Sequence, residues 1–530
     1  MEPQYDVVIA GSGASGLGMA VRLLKQYPSI RLRLIEKATG PGGTWFHNTY
    51  PGCGCDIPSH FYSYSFEPKG DWSKAFALQP EIHEYFSGVA NKYNVPSITT
   101  YSTAVSKAVW DEDQSIWTIH TKHNDGSETE VTARCFVSAV GGLTEPNDYK
   151  LPGLETFQGD VFHSARWNHY ISLTNKNIVV VGNGCSASQF VPVIAPQVNS
   201  LTQVVRSAQW YMPQPKFPHG DVFKWIMMNV PWALRGYRFF LFVLLDLQFS
   251  MFMLGNWWGE KLRNRVTQDT LKHMRDHTPE KYHDIVLPNY LIGCKRRVLD
   301  SGYLDSLHRE NVELTNKRLV KATEKSMVLE DGSEVPCDVL IVANGFRVQE
   351  KLHGMKIYGK GGIEIQDHWN QIGGVGSYQG TLLSSFPNFF LILGPNTATG
   401  HHSVIFTSEC QISLSLKLIH PILSNYCTSV QVTPEAEIND IQWLQRKLKR
   451  SVWLGGGCSS WYQDEKGRNT TLYPDPQWKY WVRSVVPQMR HFEFKGGEGK
   501  GGVGEMMWKV GKAWTGFWAW VTWGVTHSES

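Results

Sequence analysis

The sequence predicts an α/β protein built on two parallel-sheet domains with a helical insertion, and three observations carry that expectation. Residues 5–36 read as strand, glycine turn, helix and strand: YDVVIA, GSGASG, LGMAVRLLKQY and LRLIE. Residues 177–206 repeat the plan as NIVVVG, NGCSA, SQFVPVIA and TQVVR. Residues 212–290 break it, being aromatic and helical in pattern, with prolines at 213, 215, 218 and 231. Parallel strands need a crossover helix, so two βαβ units imply two Rossmann-like dinucleotide-binding domains. At 530 residues the chain can fill two or three cores.

Within the first lobe, Ile116–His120 and Ala133–Val140 read as further strands, and the lobe closes near Gly142. The buried runs Val339–Asn344 and Phe389–Leu393 are expected to return the chain to it. The first domain then comprises residues 1–148 and 336–480, the second 149–211 and 291–335, and the insertion 212–290. Residues 481–530 form a linker, glycine-rich over Lys495–Gly504, and a tryptophan-rich tail. The longest apolar run, Phe239–Leu245, is too short for a membrane span and is expected to be a buried or pocket-lining helix.

The net charge of +3 gives no basic footprint for nucleic acid. Cys53 and Cys55 lack a second pair at metal-ligand spacing, so no zinc site is expected. Nine scattered cysteines, with the first strand starting at Tyr5, fit a reduced, cytoplasmic protein. The Asn469-Thr-Thr sequon would then go unused.

Gly11-Ser-Gly13-Ala14-Ser15-Gly16 fits the G-x-G-x-x-G fingerprint between strand and helix. Gly11 permits the tight turn, Gly13 lets backbone approach a pyrophosphate, and Gly16 lets helix and strand pack closely. The phosphates meet the unpaired amides of the helix N-terminus. Glu36, twenty residues beyond Gly16, ends the second strand, where a carboxylate accepts ribose hydroxyls. The second fingerprint is Gly182-Asn183-Gly184-Cys185-Ser186-Ala187. Its second strand ends in Arg206-Ser207 rather than an acid, which favours a 2′-phosphate and therefore NADPH.

Three further segments narrow the chemistry. Phe157-Gln-Gly159-Asp-Val-Phe-His163-Ser-Ala-Arg-Trp167-Asn168 precedes the second fingerprint. Gly42-Gly43-Thr44-Trp45-Phe-His-Asn48-Thr-Tyr50-Pro51-Gly52-Cys53-Gly54-Cys55-Asp56 follows the first. Gly293-Cys-Lys295-Arg296-Arg297 follows the insertion. Together they resemble the type I Baeyer–Villiger monooxygenases, whose patterns are F-x-G-x-x-x-H-x-x-x-W, G-G-T-W-x-x-N-x-Y-P-G-x-x-C-D and G-T-K-R. Asn168 departs from the usual Pro or Asp after the tryptophan. Gly457-Cys-Ser-Ser-Trp461-Tyr462 resembles the family's late pocket segment, and the likeness covers roughly residues 5–480.

That resemblance implies FAD on the first fingerprint, contacted by Gly43, Thr44, Trp45, Asp56, Tyr62 and Val105. It implies NADPH on the second, with Gly54, Cys55 and Lys295 contributing. Arg296 is the implied catalytic residue, oriented by Asp56, while His163 and Trp167 couple the domains. The implied reaction consumes NADPH and O2 and inserts an oxygen beside a ketone carbonyl by way of a flavin peroxide, giving an ester or lactone. Oxygenation of amines or sulfides is the alternative, and it needs no essential arginine. A flavin disulfide reductase would need a redox pair spaced more widely than Cys53 and Cys55. The aromatic insertion and the Trp461 region are expected to build a pocket for a bulky apolar ketone.

In the tail, Met507, Val510, Trp514, Phe517, Val521 and Val525 recur at helical spacing. Such a stripe fits peripheral contact with a membrane surface or docking on the enzyme itself; its few basic residues favour docking.

Overall fold

The computed structural model describes residues 2–215 and 218–496. The tail stripe at 507–525 lies outside the described residues. The first sheet is seeded by β1 (Tyr5–Ala10), α1 (Ala14–Gln26) and β2 (Leu32–Ile35). Val7, Val8 and Ile9 are fully buried, as expected of a central parallel strand covered on both faces. After the short helix α2 (Thr44–His47) and α3 (Gln79–Lys92), the chain adds β3 (Thr99–Thr100), β4 (Thr103–Asp111), β5 (Ile116–His123) and β6 (Glu128–Ser138). β4, β5 and β6 form an antiparallel meander. The upper half of β6 lies parallel to β1, from Tyr5 opposite Ala133 to Ala10 opposite Ser138.

The second sheet contains β7 (Asp160–His163), β8 (Asn177–Val181), β9 (Ser200–Val204), β10 (Val312–Thr315) and β11 (Val339–Val342). Its order is β10-β9-β8-β11-β7, parallel throughout. The crossover from β8 to β9 is α4 (Cys185–Ile194). β11 corrects the expectation that Val339–Asn344 returns the chain to the first sheet. It pairs with β7 and β8 instead. The run is buried at all four positions, so it lacks the alternation that would have tied it to one face of one sheet. The return comes later: β12 (Lys356–Tyr358) pairs with β4, and β13 (Phe389–Leu391) with β6.

The insertion is helical, with α5 (Asp221–Asn229), α6 (Ala233–Leu247) and α7 (Trp257–His277). α6 carries the Phe239–Leu245 run and overturns the expectation of a buried helix on one side. Leu241 and Leu245 are buried, but Phe239 is 55% and Phe240 57% exposed. Asn469 of the unused sequon is fully buried, its carboxamide oxygen accepting the Thr471 and Leu472 amides.

Candidate active site

The two fingerprints are built alike. Gly11 and Gly182 have φ of 100° and 107°, which L side chains rarely adopt. A Cβ on Gly16 would lie 1.9 Å from the Gly11 carbonyl oxygen, so only glycine lets α1 sit on the turn. Gly13 faces Gly43 closely, which brings the Gly43–Trp45 segment over the start of α1. The Glu36 carboxylate receives the Ser12 amide at 2.6 Å, the Ser12 hydroxyl at 2.9 Å and the Ala38 amide at 2.8 Å. It is thereby held at the end of β2. The Ala14 carbonyl accepts the Tyr64 hydroxyl, and Ser15 pairs with Ser408 at 2.9 Å. Trp45 Nε1 donates to the Tyr62 hydroxyl at 3.2 Å. Val105 lies in β4, packed against the core that contains Ile35.

In the second unit, Asn183 donates to the Ser207 carbonyl at 2.9 Å, tying the turn to the end of β9. Gly184 has an ordinary φ of −76°, and a Cβ there would meet nothing within 4 Å. Neither strain nor crowding requires glycine at 184; at this fingerprint position a glycine is the residue that admits a pyrophosphate to the backbone. No side chain caps α1 or α4, which leaves their first amides for an anion. Cys185 and Ser186 open α4, and Ala187 is buried beneath it. Lys295 Nζ donates to the Ser207 hydroxyl at 2.9 Å. Burial, followed by repulsion from Arg206, holds the Lys295 amine below its ordinary value. Among the described residues no carboxylate pairs with either cation, so both residues fit a phosphate.

The units meet at Asp56 and Arg296. Arg296 Nε and Nη2 donate to the two Asp56 oxygens at 2.8 and 2.5 Å, and Nη1 donates to the Thr399 carbonyl at 3.2 Å. Burial opposes the arginine's charge, but Asp56 and Tyr462 outweigh it and hold the guanidinium well above its ordinary value. Both side chains of the pair keep about a quarter of their surface open, 26% and 24%. Arg297 differs. Among the described residues it has no acid partner; it lies over the Phe252 ring at 5.2 Å, with Gln248 accepting at 3.4 Å. Burial and the neighbouring Arg296 pull it down to about 10.

Gln189, which the sequence did not single out, joins the lobes. Its carbonyl accepts the Tyr50 hydroxyl at 2.9 Å and the Gly54 amide at 3.3 Å, while its amide donates to the Gly54 carbonyl at 3.0 Å. The signal was its place on α4, two residues beyond the fingerprint. Cys55 is buried and free beside Asp56. His163 accepts the Ala165 amide and bonds Asn344 at 3.1 Å, and Trp167 packs on Phe190 with ring centres 5.2 Å apart. Both are joints of the second domain rather than parts of the open site.

Burial pushes the Cys53 thiol up to about 12 and that of Cys185 to about 11, which leaves both unreactive as nucleophiles. One pair departs from the reduced state expected of the cysteines: Cys294 and Cys458 form a disulfide. They lie 164 residues apart, and spacing alone does not reveal pairing. The bond ties the arginine segment to the Tyr462 segment. Tyr462 is buried beside Arg296, whereas Trp461 is 42% exposed.

Residues 58–352 match the flavin-binding monooxygenase-like model, and residues 9–77 match an NAD(P)-binding Rossmann-like domain. A Baeyer–Villiger monooxygenase of Pseudomonas aeruginosa is 36% identical over 89% of this chain and 88% of its own. The chain belongs to this family. A Baeyer–Villiger monooxygenase of Streptomyces coelicolor is 34% identical, again over 88% of both chains. The cyclohexanone monooxygenase from Rhodococcus sp. Phi1, solved with NADP+, superposes with a TM-score of 0.81 at 26% identity. That likeness covers 93% of this chain and 100% of the other.

Proposed function

We propose that this flavin- and NADPH-dependent Baeyer–Villiger monooxygenase oxidises a bulky apolar ketone to an ester or lactone at the Asp56–Arg296 pair. One observation carries the reading: the open guanidinium is fixed by a bidentate carboxylate between the two dinucleotide sites. Bound FAD, reduced by NADPH, supplies the activation of dioxygen and the oxygen transfer. The chain's own groups do the rest. Glu36 and the amides at α1 hold the first dinucleotide, while Arg206, Lys295 and the amides at α4 hold the second.

Arg296 stays charged at every working pH and therefore does not act as a proton donor to a basic oxygen. Its charge stabilises the negative charge that develops on the substrate carbonyl oxygen, an effect typically worth about 3–4 kcal/mol per donor. Asp56 orients the guanidinium and offsets part of the cost of burying it. The Gln189 clamp holds the Asp56 segment against α4, so binding at the second unit is linked to the geometry at the first.

The test uses 18O-labelled dioxygen, NADPH, and separate linear, cyclic and polycyclic ketones alongside an aryl sulfide. Label in an ester or lactone at a rate above sulfoxide formation supports the reading. Labelled sulfoxide with no ester from any ketone sinks it.

A further inference from the structure

We propose that the outward face of α5, α6 and the first turn of α7 is a membrane-docking surface that seats the enzyme in the headgroup region of a lipid bilayer. This goes beyond the ketone oxidation and does not depend on it. On α6 the stripe runs through Phe240, Leu244 and Leu247, which are 57, 47 and 68% exposed. α5 packs beside it and presents Trp225 at 58%. α7 presents Trp257 and Trp258 at 62 and 67%. A Cβ on Gly259 would lie 2.0 Å from the Ser250 carbonyl oxygen, so the first turn of α7 sits directly on the segment that ends α6. Soluble monomers rarely leave so many large apolar side chains together in water.

Two of the three charges of α6 are turned away from this face. Arg238 reaches inward to the His60 carbonyl and Ser63, and Asp246 accepts the Gln477 amide at 2.7 Å. Arg235 lies over the Trp232 ring at 5.0 Å, and Lys261 lies 5.6 and 5.9 Å from the Trp257 and Trp258 ring centres. Lys224 on α5 adds a third base, and α5 and α7 also carry the acids Asp221 and Glu260. Glu260 is engaged by the Gly255 amide at 3.2 Å. An uncharged aromatic and aliphatic face, with tryptophans and snorkelling bases at its margin, matches the chemistry of the membrane interface. Phe240, Leu244 and Leu247 offer a protein partner no hydrogen bond. α6 spans roughly 22 Å at 1.5 Å per residue, a helix lying flat rather than crossing. Among the described residues, no helix is long and apolar enough to span a membrane. The inner side of the same insertion reaches Arg297 through Gln248, so a docked bilayer would lie close to the active site.

The full-length holoenzyme is sedimented with phosphatidylcholine vesicles, with and without phosphatidylserine, and compared with Phe240→Glu/Leu244→Glu and with Trp514→Glu/Trp518→Glu. Wild type should pellet with vesicles, more so with phosphatidylserine, and its tryptophan emission should shift to the blue. The α6 variant should lose about a hundredfold in vesicle affinity. Its flavin absorption and its turnover of a water-soluble ketone should be unchanged. The tail variant should still pellet. Three results would overturn the proposal. Binding lost only in the tail variant assigns the membrane to the tail, and binding gained only there shows the tail covering α6. A wild-type dimer dispersed by the α6 substitutions, without vesicle binding, assigns the face to a second copy.

Discussion

On the proposed reading, Arg206 and Lys295 carry the coenzyme preference. Arg206 ends the second unit where a carboxylate would repel a phosphate, and Lys295 approaches from the far side of Ser207. Arg206→Ala should raise KM for NADPH about tenfold or more while leaving KM for NADH nearly unchanged, because one charge-assisted contact is worth about 1.5–3 kcal/mol. Steady-state kinetics with both coenzymes reads this directly, and equal use of both by wild type would remove the assignment. Arg206 could be singled out in the sequence because a fingerprint fixes its distance from the turn, and Lys295 because its segment resembles the family's G-T-K-R. Gln189 could not be, since its role depends on a loop from the other lobe meeting α4.

At the level of elements, the glycines separate into two kinds. Gly16 is required by packing, because any Cβ would collide with the Gly11 carbonyl. Gly184 is required by neither packing nor φ. Gly184→Ala should therefore fold, bind flavin and melt within about 1 kcal/mol of wild type, since Ala suits a helix start no worse than Gly by more than that. Its KM for NADPH should rise severalfold as the methyl crowds the pyrophosphate. Loss of folded protein would show that the glycine is structural. Elements also set the limit of sequence reading. β11 gave no sign of its sheet because it is buried on both faces, and α6 gave no sign of its open face because no polar residue interrupts Phe239–Leu245 to mark it. The resemblance located the arginine segment, but only the folded chain brings it onto Asp56.

Across the whole molecule, buried histidines couple stability to pH. Burial, with help from His401, pushes His402 down to about 3 within a cage of Phe61, Phe242 and Phe406. Burial likewise pushes His60 down to about 4. The unfolded chain takes up these protons near the ordinary value of 6.5, and the folded chain does so only at far lower pH. Between those limits the unfolded state binds more protons, so stability falls as pH falls from about 6.5 toward 4. Melting temperature should drop across that range, and His402→Phe should flatten the slope. An unchanged slope in the variant would assign the acid sensitivity to other groups.

The division of labour between Arg296 and Arg297 spans all three scales and tests the central claim. Arg296 is paired with Asp56 and keeps about a quarter of its side chain exposed, whereas Arg297 lies over Phe252 and, among the described residues, has no acid partner. Ester yield and hydrogen peroxide yield from a common ketone are measured for wild type, Arg296→Ala and Arg297→Ala, each with flavin content verified by absorbance. Arg296→Ala should retain flavin and lose ester formation by about a hundredfold or more, with NADPH consumption diverted to hydrogen peroxide or slowed. Arg297→Ala should keep most ester formation. Normal ester yield from Arg296→Ala, or loss confined to Arg297→Ala, would contradict the account.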